Sequence, residues 1–241
     1  MKKRMLRGEL YRYDDAELEA GQLRAQELLE RYNATRYDEQ EVRDRLLREL
    51  LGEVGERVVV RPPLRCDYGT YIAIGAGTFV NYDCVLLDVA PIRIGNDCQL
   101  APRVQLLTAT HPIDPEPRRA GWESGAPITI ADNVWLGAGA IVCPDVSIGA
   151  DTVVGAGAVV VGDLPAGVVA VGVPAKPVRE ITEADRVEID DAGGETISGG
   201  PGLLAAFDPN ERHEVRAVEE SRVLLLLSPW PGVGHPSAAA P

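Results

Sequence analysis

The chain of 241 residues is short of several residue types on which common functions depend. Aromatic residues make up 5% of it, there are 3 histidines and 4 cysteines, and acidic residues exceed basic ones to give a net charge of −13. That charge argues against a general surface for nucleic acid or anionic membranes. The leucine run near the C-terminus, Leu224 to Leu227, is too short to span a bilayer.

The few cysteines also exclude some classes of protein. None belongs to a CxxC pair, so a zinc site is not expected. Cys66 and Cys84 are 18 residues apart, which predicts two buried thiols stacked in successive coils rather than a disulfide. The start, MKKRMLRGELYRYDD, lacks the apolar core of a signal peptide. We therefore expect a cytoplasmic protein.

Aliphatic residues, by contrast, recur with a regular period. They stand six residues apart at Ile130, Leu136, Val142, Ile148, Val154 and Val160. A period of six fits neither an α-helix nor a flat strand as a single element. It fits a coil of short strands in which three hexads return the chain to its starting face and successive coils stack. The period therefore predicts a mainly β protein.

The same period runs upstream and is interrupted twice. It passes through Ile74, Val80 and Leu86, and then through Ile94, Leu100 and Leu106. The step from Leu86 to Ile94 is eight residues, and the step from Leu106 to Ile130 is 24. Extra residues must bulge out of the coil at both places. Loops that project from a rigid scaffold are where functional residues concentrate.

Different patterns occupy the two ends of the chain. Residues 1–56 carry two helical stripes that begin after predicted N-caps at Asp14 and Asp38, which predicts a helical hairpin packed on one end of the coil. Residues 57–181 hold the hexads. Residues 182–241 are acidic and contain short strand-like segments, so we expect a separate small β module there.

Several motifs within residues 7–181 resemble the maltose and galactoside O-acetyltransferases. The most specific are RGELYRYDD, FVNYD, TATHPID and GVPAKPVREI. The resemblance implies a left-handed parallel β-helix of hexapeptide repeats, an exception to the usual handedness of crossovers. It also implies a homotrimer that transfers acetyl from acetyl-CoA to a sugar, with acetyl-CoA bound between neighbouring subunits and no metal required.

The resemblance assigns roles to residues at the interruptions. His111, the only histidine among the hexads, corresponds to the general base, because a hydroxyl is a poor nucleophile until its proton is removed. Asn81 in FVNYD corresponds to the residue near the reacting centre that binds the acceptor and supports the oxyanion. The acceptor-binding candidates are Asp14, Asp67, Asp88 and Glu123. Each has an alternative role as an ordinary loop or corner residue.

Coenzyme A carries phosphates, so an acidic protein must hold basic residues locally to bind it. Lys176 and Arg179 match that role, and backbone groups near Ala138 and Ala156 are expected beside the pantetheine arm. Trp135 is a further candidate for the cleft wall, although a structural role fits it equally well. The family commonly has a lysine where this chain has Gly162, which predicts weaker binding of CoA.

Other functions of a hexad coil require different residues. A carbonic anhydrase on the same coil needs three zinc-binding histidines per site, and the hexads offer one. A non-catalytic scaffold or sugar-binding protein, and an acetyltransferase for a non-sugar acceptor, both remain alternatives. The C-terminal segment FDPNERHEVRAVEESRVLLLLSPWPG resembles half of a small cupin barrel. It lacks the histidine pair of cupin metal sites, so we expect an assembly or lid module without a metal.

Overall fold

The computed structural model describes residues 1–187. Residues 1–181 form one compact unit, and a second unit begins at Thr182. Of that second unit the structure describes a short 3-10 helix, Glu183–Asp185. The cupin-like module predicted for 182–241 otherwise lies outside the described residues.

The first unit is dominated by a parallel β-helix with three faces. Face one contains β2 (Glu53–Val54), β5 (Ile72–Ile74), β8 (Ile92–Ile94), β13 (Ile128–Ile130) and β16 (Ser147–Ile148). Face two contains β3 (Val59–Val60), β6 (Phe79–Val80), β9 (Gln99–Leu100), β14 (Trp135–Leu136), β17 (Val153–Val154) and β19 (Val168–Gly172), with β20 (Ala175–Glu180) antiparallel to β19. Face three contains β4 (Leu64–Cys66), β7 (Cys84–Leu87), β10 (Gln105–Leu107), β15 (Ile141–Val142) and β18 (Val159–Val160).

The strand register confirms the six-residue period and the mainly β fold. The periodic aliphatic residues stack in columns, one on each face. The columns are Ile94–Ile130–Ile148, Leu100–Leu136–Val154 and Leu106–Val142–Val160. Side chains from the three faces meet inside the coil, and these residues are buried there. Burial of these aliphatic columns stabilises the coil along its axis.

The cysteine prediction was wrong in its register. The first two coils both carry an eight-residue step between faces three and one, so the repeat there is longer than 18 residues. Leu64 pairs with Cys84, and Cys66 pairs with Leu86. Cys66 and Cys84 therefore do not stack on each other, although both are buried free thiols.

A helical hairpin covers the first coil. It consists of α2 (Ala16–Asn33) and α3 (Gln40–Leu50). The Tyr32 hydroxyl donates to the Val60 carbonyl at 2.7 Å. The Asn33 amide exchanges two hydrogen bonds with the backbone of Leu64, at 2.8 and 3.0 Å. These bonds fix the hairpin to the strands beneath it and join its apolar face to the core of the coil.

The predicted helix caps were displaced by a residue. The N-cap of α2 is Asp15, whose side chain accepts from the backbone N–H groups of Glu17 and Leu18. Asp14, the predicted cap, lies outside the helix. Glu39 precedes α3 without a side-chain cap, so the cap predicted at Asp38 was also wrong. Before α2, the chain forms α1 (Lys2–Met5) and β1 (Tyr11–Arg12).

All the interruptions of the hexads lie at one corner of the β-helix, where face three turns into face one. We call it the insertion corner. It comprises residues 67–71, 88–91 and 108–127 of successive coils. The last of these contains β11 (Ala109–Thr110), α4 (Pro115–Arg119) and β12 (Trp122–Gly125). Strand β12 pairs antiparallel with both β11 and β1, which ties the N-terminal segment to the corner.

Candidate active site

The insertion corner brings together three acidic candidates from separate coils. Asp67, Asp88 and Glu123 interact electrostatically there, because Asp88 and Glu123 both raise the pKa of Asp67. The sequence separates these residues by as many as 56 positions, and the stacking of the coils unites them. Within residues 1–187 none of the three forms an ion pair with a basic residue.

Asp88 is fully buried and holds the loop above it. Its carboxylate accepts from the backbone N–H groups of Asp67, Tyr68 and Tyr71, at 3.1, 2.8 and 3.1 Å. Burial raises the pKa of Asp88 to about 6, although these amide bonds favour its charged form. Both carboxylate oxygens are therefore engaged by the backbone, and Asp88 shapes the loop that carries Asp67.

Asp67 is partly buried on that loop. Burial, followed by the charges of Asp88 and Glu123, raises the pKa of Asp67 to about 6. Its side chain makes no hydrogen bond within residues 1–187. A carboxylate that is partly desolvated and lacks partners is available to accept hydrogen bonds from a polar ligand.

A cavity of about 340 Å³ opens beside Glu123. His111, Glu123, Tyr13, Arg118, Arg119 and Gly121 line it. The cavity thus joins two candidates from opposite ends of the long insertion, His111 and Glu123. Sequence reasoning missed the other side chains. Tyr13 adjoins the assigned Asp14, and the arginine pair follows TATHPIDPEP, so position within the motifs was the available signal.

His111 follows β11 and is exposed at the mouth of this cavity. It makes no hydrogen bond to any residue in the described part of the chain. The loop around it is nevertheless held in place. The Arg118 guanidinium donates to the carbonyls of Pro112 and Ile113 at 2.7 and 2.8 Å, and Asp114 caps α4 through the Glu116 N–H at 3.0 Å. The imidazole is therefore carried on a fixed loop and is free to bind a ligand.

Asp14 stands apart from the other acidic candidates. It is exposed and forms a hydrogen-bonded ion pair with Arg12. Its side chain does not line the cavity, whereas the neighbouring Tyr13 does. The structure therefore places Asp14 at the rim of the corner.

The remaining candidates lie on face two or at the corner where it turns into face three, which we call the second corner. Asn81 follows β6 there, and its side-chain oxygen accepts from the Tyr82 N–H at 2.9 Å. Ala138 and Ala156 occupy the same corner in later coils, linked by the Gly157 N–H bond to the Ala138 carbonyl at 2.9 Å. Both are exposed.

The other cofactor-binding candidates lie on face two, beside the second corner and towards the C-terminal end of the β-helix. Trp135 is half-buried in β14. Lys176 and Arg179 are exposed in β20, opposite Val171 and Val169 of β19. The candidates for CoA binding therefore follow one side of the β-helix in successive coils.

The insertion corner and the second corner do not meet within one protomer. Face three separates them, and a four-residue strand such as β7 alone spans roughly 13 Å. A hydrogen bond requires about 3 Å between heavy atoms. One protomer therefore does not bring Asn81 and His111 together, and each corner presents its candidates outward.

Stacked hexads, a helical hairpin over the first coil and a histidine loop inserted at one corner define a hexapeptide-repeat acyltransferase. The family model for the maltose acetyltransferase hexapeptide capping motif matches residues 4–55. The model for bacterial transferase hexapeptide repeats matches residues 127–162.

Comparison with individual proteins narrows this class. Nodulation protein L of Rhizobium meliloti is 49% identical over 73% of this chain and 96% of its own length. The crystal structure of a maltose O-acetyltransferase from Clostridium difficile 630 is 44% identical with a TM-score of 0.75, covering 76% of this chain and 97% of that one. A galactoside acetyltransferase in complex with coenzyme A is 34% identical with a TM-score of 0.76, covering 81% and 98%. The chain belongs to the maltose and galactoside O-acetyltransferase family.

Proposed function

We propose that this protein transfers the acetyl group of acetyl-CoA to a hydroxyl of a sugar of the maltose, glucose or galactoside type. The observation that carries the proposal is His111, an exposed imidazole without an internal partner that opens into a cavity with a carboxylate. The family relationship supports acetyl-CoA as co-substrate, since the related galactoside acetyltransferase was solved with coenzyme A.

In this mechanism neutral His111 removes the proton of the acceptor hydroxyl as its oxygen attacks the thioester carbonyl carbon. The new C–O bond forms while the carbonyl becomes an oxyanion, which the Asn81 amide stabilises by donating a hydrogen bond. The C–S bond then breaks, and the protonated imidazole returns its proton to the departing CoA sulfur. The products are an acetylated sugar and free CoA, and His111 is neutral again.

The acceptor is held by the insertion corner. Asp67 and Glu123 accept hydrogen bonds from its hydroxyl groups, and Asp14 contributes at the rim. Asp88 assists through the loop that carries Asp67, because its own oxygens already bind three backbone amides. Sugars present several hydroxyl donors, which suits carboxylates without basic partners.

The separation of the two corners supports a homotrimer with its sites between subunits. The second corner of one subunit then supplies Asn81 to the insertion corner of the next. Along the same side, Trp135, Ala138 and Ala156 flank the pantetheine arm, while Lys176 and Arg179 bind the phosphates of CoA. Closed cyclic assemblies use one heterologous contact repeatedly, so three equivalent sites result.

The buried thiols support a cytoplasmic location as part of this proposal. Cys66, Cys84 and Cys98 are free and buried, as suits a reducing compartment. No helix within residues 1–187 is long and apolar enough to cross a membrane.

Release of free CoA from acetyl-CoA tests the proposed reaction. The full chain is assayed with maltose, glucose, a galactoside, serine and chloramphenicol, each at several concentrations. We expect thioester cleavage that depends on a sugar and saturates with it. Faster turnover of serine or chloramphenicol would indicate a non-sugar acceptor, and no cleavage with any acceptor would indicate a scaffold.

A further inference from the structure

Tyr11 has a buried hydroxyl that makes no well-formed hydrogen bond. The residue is 0% exposed, and its hydroxyl oxygen is the buried side-chain polar atom without a bond of good geometry among the described residues, although the Glu123 carboxylate faces it as an acceptor. Such a group normally destabilises a folded protein, because it loses its bonds to water and gains at most a poorly aligned one in return. Its presence next to a candidate site therefore requires an explanation.

The surroundings of that hydroxyl are acidic. Burial raises the pKa of Tyr11. A hydrogen-bonding interaction with the Glu123 carboxylate raises that pKa next, followed by the charges of Glu123, Tyr68 and Asp67, so these groups face the phenol. Strand β1 pairs with β12 so that Tyr11 lies directly opposite Glu123. Directly opposed residues of an antiparallel pair project their side chains on the same side of the ribbon.

Glu123 links Tyr11 to the cavity. It is the only carboxylate among the described residues that line the cavity with His111. Tyr11 itself lies behind it, packed in a small apolar cluster with Met5, Leu18, Tyr68 and Val89. The phenol ring is thus fixed by packing, and its hydroxyl points at the acidic group that borders the reaction cavity.

We propose that Tyr11 is a positioning residue: its hydroxyl donates to Glu123 when the acceptor sugar engages that carboxylate, and so fixes the sugar hydroxyl beside His111. The inference rests on the proposed acetyl transfer to a sugar. Hydrogen bonds at enzyme sites are often long or misaligned without substrate and shorten in the complex. The Tyr11 hydroxyl is already buried and its bond to Glu123 is not well formed, so little is lost when Glu123 turns fully towards it.

Tyr11→Phe tests this role because it removes the hydroxyl and keeps the ring. The matched control is Tyr32→Phe, which removes a hydroxyl that is equally buried but bonded to the Val60 carbonyl at 2.7 Å. Steady-state kinetics with varied sugar and varied acetyl-CoA, together with thermal unfolding, are measured on wild type and both variants at one protein concentration.

The two variants should behave in opposite ways. For Tyr11→Phe we expect kcat/KM for the sugar to fall about tenfold, with KM for acetyl-CoA unchanged and Tm unchanged or raised. For Tyr32→Phe we expect Tm to fall by about 2–4 °C with sugar kinetics unchanged. A Tyr11→Phe enzyme with wild-type sugar kinetics overturns the inference, as does a fall in kcat/KM that accompanies an equal loss of stability. If wild type acetylates no sugar, the proposed function has failed rather than the role of Tyr11.

Discussion

The substitution Asp67→Asn should make the protein more stable at neutral pH and less active. Asp67 is partly buried beside two other carboxylates, and its side chain has no hydrogen bond or ion pair within the described chain. Asparagine has nearly the same shape, so it removes the charge without breaking a bond. If Asp67 binds the acceptor, the same change should lower kcat/KM for the sugar.

The size of the gain follows from the raised pKa of Asp67. An unfolded aspartate has a pKa of about 3.9, whereas burial and the neighbouring carboxylates raise the pKa of Asp67 to about 6 in the folded chain. The folded state therefore binds the proton more tightly, and wild-type stability declines as pH rises between these two values. Above pH 7 the full difference of up to about 3 kcal/mol opposes folding, and Asp67→Asn relieves it.

Urea unfolding at pH 4.5 and pH 7.5 measures this effect. Both proteins are compared at one concentration, because subunit association contributes to stability. We expect Asp67→Asn to be more stable than wild type by about 1–3 kcal/mol at pH 7.5, with a difference of less than about 1 kcal/mol at pH 4.5.

The matched control is Asp145→Asn, which removes an exposed acidic charge from a coil corner whose φ of 63° asparagine also tolerates. It should leave the pH dependence unchanged. A stability difference between Asp67→Asn and wild type that is the same at both pH values would refute the electrostatic reasoning. So would a variant that is less stable than wild type at pH 7.5.

Two further substitutions test the neighbouring assignments. Asp88→Asn should lower the free energy of unfolding by about 2–4 kcal/mol, since an amide cannot accept from all three backbone N–H groups. Urea unfolding measures this change. A variant at least as stable as wild type would contradict the role of Asp88 in anchoring the loop. Gly162→Lys should lower KM for acetyl-CoA about threefold or more by adding a cation near the phosphates. A Cβ at Gly162 meets no atom within 4 Å, so the site has room for the new side chain. The control is Gly162→Gln, and a KM for acetyl-CoA that is the same in the lysine and glutamine variants would count against the predicted phosphate contact.

The β-helix could be predicted from the sequence because one aliphatic residue in every six marks its period. Each of Ile130, Leu136 and Val142 occupies the inner side of its own face, so a spacing of six translates directly into three faces. The two long interruptions likewise predicted where loops project. The stacking of these loops at one corner required the three-dimensional register, since it depends on the eight-residue steps recurring in successive coils.

The local errors have physical causes of the same kind. Asp14 and Asp15 are both suitable caps, and the β1–β12 pairing decides between them by fixing where the extended segment ends. Cys66 and Cys84 satisfied the 18-residue repeat, but the insertion between their coils moved the register by two residues. The burial of Asp88 and the placement of the Tyr11 hydroxyl against Glu123 could not be predicted from the sequence, because both arise from contacts between distant segments.

Mixing two defective subunits tests most directly whether the reaction site forms between corners of neighbouring subunits. His111→Ala and Asn81→Ala chains with different tags are co-expressed, and trimers carrying both tags are purified. We predict that each variant alone loses at least about 100-fold in acetyl transfer. A mixed trimer contains one site with both residues intact, so its activity should return to about one third of wild type. Mixed trimers no more active than their parents, or a folded His111→Ala protein with near-normal turnover, would contradict the account.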